Sequence, residues 1–187
     1  MIKKEQSLIA LIIVATSFVL WSVAELVHET YLPQTRWVAG VDLVYFPSAI
    51  RLLLLLVGGA AAAVGIAISN MLSVGSDFSL ESPILITVTA FYTAFAPLFG
   101  LWVTLKLLRL ERGLKNLEGR HLPLLCLGTS VISAVLHSVY FDFMQGSPSS
   151  NIIERTVAMA LGDFTGSLIV VYSLSLFIRF YRSLLHR

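Results

Sequence analysis

The sequence predicts an all-α membrane protein: one integral domain over residues 1–187, folded as a bundle of about six transmembrane helices of roughly 20 residues each. Three observations carry this. Hydrophobic residues make up 57% of the chain and charged residues 13%, with a mean hydropathy of +0.85, where soluble domains hold about 45–50% and about 25%. The apolar residues come in long continuous blocks, which excludes a closed β-barrel of short alternating strands. Lysine and arginine cluster beside only three segments, as membrane topology requires.

The first apolar block runs from Ser7 to about Val27 behind Met-Ile-Lys-Lys. Its length, and the lack of a small-x-small cleavage site, predict an uncleaved signal-anchor helix. The loop His28 to Asp42 follows, with Tyr31 and Trp37 suited to an interfacial aromatic belt. Two short apolar pieces come next, Leu43–Val57 and Ala60–Val74, hinged at Gly58-Gly59. Each spans only about 22 Å as helix. They must thin the bilayer, form a re-entrant hairpin or line a cavity within the bundle.

A polar turn is expected over Ser73 to Pro83, then a full-length helix from Ile84 to about Leu108 that Pro97 should kink. The segment Lys106 to His121 is densely charged. Leu122 to about Phe143 makes a fifth helix, Gln145 to Asn151 a turn-rich loop, and Ile152 to about Phe180 the last helix.

Lys3 and Lys4, then Lys106, Arg109, Arg112, Lys115 and Arg120, then Arg179, Arg182 and Arg187 mark three segments as cytoplasmic, both termini included. The remaining loops carry Glu29, Asp42, Asp77, Glu81 and Glu154 against Arg36 and Arg155. That parity requires the Leu43–Val74 region to leave and return on the outer side. Six crossings result.

Arg51 sits inside the first short piece. A charge at the bilayer centre costs at least about 2.5–3.5 kcal/mol, so it is usually paired or hydrated. Asp163, in the run ALGDFTGSLIVV, is the candidate partner: the two lie about 12 and 16 Å below the outer ends of their helices by helical rise. An Arg–Asp pair can be bidentate and neutralises both charges. Two roles are open: a clamp between helices, or part of an outward-facing polar pocket where Arg51 meets an anionic ligand.

Glu25, His28, His137, Asp142, Glu154 and Arg155 fall in the same outer half and outline that pocket. Those near helix ends can snorkel to water. His137 lies deeper and is expected to hydrogen-bond a neighbouring helix. Gly58, Gly59, Ala61, Gly65 and Ser69 give the third piece a small-residue face for close helix packing, within the chain or against a partner; Gly162 and Gly166 add a second.

No metal site or cofactor is indicated, and the basic residues follow topology rather than a nucleic-acid stripe. The one cysteine, Cys126, reads as a small buried apolar residue. Ser130 and His137 share a helix face, yet two turns separate them by roughly 10 Å, too far for a hydrolase dyad. The chain is expected to be non-enzymatic.

Two runs carry a family likeness. FPSAIRLLLLLVGGAAAAVGIAISNML, with Pro47 and Gly58, resembles the proline-led helix and glycine-hinged pair of the bacterial membrane-associated sensor domain, type one. GDFTGSLIVV is similar to that family's Gly-Asp-x-x-Gly-x-Leu-x-Val motif, carried here by Gly162, Asp163, Gly166, Leu168 and Val170. The resemblance covers most of the chain from Leu43 onward. Two positions depart: Ile50 stands where the family usually has glycine, and Tyr172 or Ser173 where it has proline. Family members look like eight-helix sensors fused to cytoplasmic kinase, cyclase or phosphodiesterase domains. The resemblance therefore implies a shortened, stand-alone relative acting through another membrane protein.

The expected function is a sensor-like or accessory subunit of a bacterial inner-membrane complex, with a small ligand as an option. The Lys106–Arg120 loop would meet either a partner or anionic lipid headgroups. The alternative is the substrate-binding component of a vitamin-type transporter, which six short helices and an outer pocket also resemble.

Overall fold

A computed structural model describes residues 2–38, 41–77, 82–110, 116, 118–145 and 151–185. Five helices account for nearly all of it: α1 (Ile2–Tyr31), α2 (Pro47–Asp77), α3 (Pro83–Leu107), α4 (His121–Gln145) and α5 (Ile152–Leu185). All five are long and apolar enough to cross a membrane. Between α1 and α2 a 3-10 turn at Pro33–Thr35 leads into a short antiparallel pair, β1 (Arg36–Val38) and β2 (Val41–Asp42).

The two short pieces expected over Leu43–Val74 are the two arms of α2, which joins two helices across a kink at Gly59. α2 begins at Pro47, after a bent segment whose Asp42 and Tyr45 carbonyls lie against Gly162 and Gly166 of α5. It is not straight. Gly59 has φ 53° and ψ −130°, a left-handed conformation that only glycine adopts without strain. Gly58, the other expected hinge residue, is helical.

The contacts on α1 give the shape of the bend. In the first arm of α2, Arg51 stands over Trp21 and Gly58 abuts Ile13, so this arm runs antiparallel to α1. In the second arm, Gly65 meets Val14 and Ser17 while Ser69 and Asn70 bond Ser22 and Trp21, so that arm runs parallel to it. A straight helix would hold residues 51 and 70 about 28 Å apart. Both instead reach the Trp21 ring. The chain reverses at Gly59, level with Ile13.

α3 follows with Thr93 level with Asn70, and continues as one helical element through Pro97. Tight seams join α3 to α4, where Gly128 admits Thr104 and Thr89 bonds Tyr140, and α4 to α5 through Arg155 and Ser138. The start of α1, the end of α3, the start of α4 and the end of α5 therefore share one end of the bundle. The β1–β2 pair and the mouths of α2 and α5 share the other.

Several elements outrun their expected bounds, α5 among them, which reaches Leu185 rather than about Phe180. α1 continues to Tyr31, where His28 is buried against Asp42. α2 continues five residues into the expected polar turn, to Asp77. The rest of that turn, most of the Lys106–His121 loop and most of the Gln145–Asn151 loop lie outside the described residues. The main core holds Leu55, Ile66, Leu101, Leu125 and Cys126; a second packs Val41 on Ala134, Phe141 and Met159.

Candidate functional site

The site begins with two glycines. On α5, a Cβ at Gly162 would lie 1.9 Å from the Asp42 carbonyl oxygen, and one at Gly166 would lie 2.0 Å from that of Tyr45. Their spacing of four places both on one helix face, and the bare groove takes the segment Asp42 to Phe46 directly onto the helix. The Tyr45 N–H donates to the Gly162 carbonyl at 3.0 Å. Ser48 Oγ extends the seam, 2.8 Å from both the Asp163 carbonyl and Ser167 Oγ.

This seam sets the register of α2 on α5. One turn below Ser48, Arg51 reaches back toward the mouth and its Nη2 donates to Asp163 Oδ2 at 2.6 Å. The side chains are 12% and 7% exposed, so the pair is nearly dry. The Trp21 and Tyr45 rings flank the guanidinium, each with its centroid 5.7 Å from Cζ, within the range of a cation–π contact. Arg51 thus meets a carboxylate and two ring faces.

The surroundings are joined by hydrogen bonds. Trp21 Nε1 donates to Asn70 Oδ1 at 2.7 Å, and Asn70 Nδ2 donates to Thr93 Oγ1 at 2.9 Å, linking α1, the second arm of α2 and α3. The Tyr45 hydroxyl donates to the Glu25 carboxylate in a short contact. Burial first, and Glu25 second, push the Tyr45 phenol well above its ordinary value, so it remains a donor. At the rim, Arg36 pairs with Glu29.

These residues enclose a polar cavity of about 120 Å³ that Asp42 and His137 also line. That is the space of roughly four waters.

Of the residues proposed from sequence, Arg51 and Asp163 touch, and Glu25 and His137 line the same cavity. His28 stands behind it: its Nε2 is 3.4 Å from Asp42 Oδ1, its ring meets Tyr45 edge-on, and among the described residues neither ring nitrogen has a hydrogen-bond partner. Arg155 and Asp142 sit apart on the α4–α5 seam, 3.7 Å from each other, with Arg155 donating to the Ser138 carbonyl. They are not pocket residues. Glu154 faces outward.

His137 Nδ1 lies 2.7 Å from the Ser133 carbonyl, and the ring also interacts with the Thr93 backbone on α3. Pro97 lacks the N–H that would otherwise bond the Thr93 carbonyl, so His137 sits where α3 has a carbonyl to satisfy. Gly65, Ser69 and Gly58 pack on α1; Ala61 is half-buried. A Cβ at Gly59 would meet nothing within 4 Å, so its part is conformational.

Trp21, Tyr45, Asn70 and Thr93 were not legible as site residues. Aromatic residues near helix ends read as interfacial anchors, and only contacts between distant helices reveal them as cavity walls.

Fold and site together define a polytopic α-helical membrane domain whose interior carries a shielded Arg51–Asp163 ion pair beside a small polar cavity. The family model of the membrane-associated sensor 1 domain, MASE1, matches residues 9–187, and the chain belongs to that family. No curated protein and no solved structure matches it.

Proposed function

We propose that this chain is a non-enzymatic sensing subunit of a bacterial inner-membrane assembly, binding a small ligand in the cavity beside Arg51 and Asp163 and passing its state to a partner protein through helix packing. The single observation that carries this is the cavity itself: a polar space within a membrane domain, walled by residues from α1, both arms of α2, α3, α4 and α5. A ligand there touches every helix at once. Any change in their relative positions is then coupled to its binding.

In this reading the folded α2 enters and leaves on one face, giving six passes with the second and third short. The three basic segments share one end of the bundle, which the positive-inside rule assigns to the cytoplasm with both termini. The cavity then faces outward. A cysteine introduced at residue 116 should be protected from impermeant reagents applied outside, and one at residue 149 should react.

A vitamin-type transport role is less well supported, because drug-sized ligands occupy about 300–1,000 Å³ and this cavity holds about 120 Å³. Isolation from native membranes in nanodiscs, with identification of co-purifying proteins, separates the readings. A kinase, a cyclase or another signalling complex supports sensing. An ATPase module would overturn it in favour of transport.

A further inference from the structure

Counting the charges on the cavity wall gives its ligand a sign. Four carboxylates line it, Glu25, Glu29, Asp42 and Asp163, against two guanidiniums, Arg36 and Arg51. Both arginines are already paired, Arg36 with Glu29 and Arg51 with Asp163. Among the described residues, neither Glu25 nor Asp42 pairs with an arginine or lysine. Glu25 accepts the Tyr45 hydroxyl, and Asp42 faces only the Thr35 hydroxyl and His28.

An anion entering this space would have to displace Asp163 from a guanidinium already flanked by two rings, and would then face Glu25. A cation meets the opposite situation. The partly buried Glu25 carboxylate is paired with no arginine or lysine among the described residues, and a positive group within hydrogen-bond reach offsets the cost of its burial. Phe141 and Met159, which also line the space, suit the carbon atoms of an organic cation. A metal ion is less suited: no cluster of three or more His, Cys, Asp or Glu ligands occurs among the described residues. The volume admits only a few non-hydrogen atoms.

We infer that the cavity is a receptor site for a small organic cation of the alkylammonium class, held by the Glu25 carboxylate with Phe141 and Met159 against its carbon atoms. This rests on the sensing reading above and specifies its ligand.

Trp21 supplies the readout, since the chain has three tryptophans. With Trp37→Phe and Trp102→Phe, the remaining emission reports the cavity wall. The protein, in zwitterionic nanodiscs at fixed ionic strength, is titrated with methylammonium and tetramethylammonium chloride, and separately with sodium chloride, acetate and phosphate. At least one ammonium salt should change Trp21 emission saturably, sodium chloride should not, and Glu25→Gln should weaken the binding at least tenfold. If that variant fails to accumulate, Asp42→Asn makes the same comparison with the same expectation.

Saturation by acetate or phosphate instead overturns the cation assignment and leaves a small-ligand sensor standing. Ammonium binding that is unchanged in the charge-neutral variant overturns the site. No saturable response to any salt overturns both readings.

Discussion

The cavity holds two arginine–carboxylate pairs, and they differ in almost everything except chemistry. Arg51 and Asp163 come from helices far apart in sequence and are 12% and 7% exposed; Arg36 and Glu29 sit at the rim, 37% and 43% exposed. In the first pair each partner removes a charge the interior could not otherwise tolerate. In the second, water screens both. Breaking a buried pair from one side costs about 3–5 kcal/mol, whereas exposed pairs are worth about 0–1 kcal/mol. One pair sets the fold, and the other covers the mouth.

Asp163→Ala should therefore have the largest effect. It leaves the Arg51 guanidinium buried with no carboxylate bonded to it, and folded protein recovered in nanodiscs should fall severely, with a loss of about 3–5 kcal/mol in any population that unfolds reversibly. Gly162→Ala tests whether the pair depends on the seam that positions it. The new Cβ strikes the Asp42 backbone rather than a movable side-chain tip, so a loss of about 1–3 kcal/mol is expected. A lower thermal midpoint should come with quenched or shifted Trp21 emission as α2 moves.

Gly59→Ala asks about conformation without packing, because open space surrounds that position. An alanine held at φ 53° should cost about 1–2 kcal/mol, visible as a midpoint drop smaller than that of Gly162→Ala. Arg36→Ala should be smallest, within about 1 kcal/mol, and should become weaker still as salt is raised. A rim substitution as damaging as Asp163→Ala would erase the contrast.

Much of this contrast was legible in the sequence, for physical reasons. A charge inside an apolar block must find a partner, and few acids lie at a compatible depth, so Arg51 and Asp163 could be matched without coordinates. The glycine pair and the charge parity together pointed to a chain that turns back. Periodicity could not locate the reversal at Gly59 alone, since both arms are good helix and φ is invisible in composition. Nor could it find β1 and β2, whose few residues carry no repeating pattern. Arg155 and Asp142 looked like pocket residues because depth along a helix is readable, while direction around its axis depends on packing. The Trp21–Asn70–Thr93 chain joins three elements far apart in sequence, so no local spacing betrays it.

The most direct measurement is a double-mutant cycle on residues 51 and 163 in nanodiscs, using Arg51→Ala, Asp163→Ala and both together, with the charge swap Arg51→Asp/Asp163→Arg as a fifth sample. A coupling of about 2–3 kcal/mol, at the upper end of what contacting residues show, together with partial recovery of folded protein by the swap, is the expected result. Additivity within about 0.5 kcal/mol, with the swap no better than its component changes, would contradict an interior held together by this ion pair.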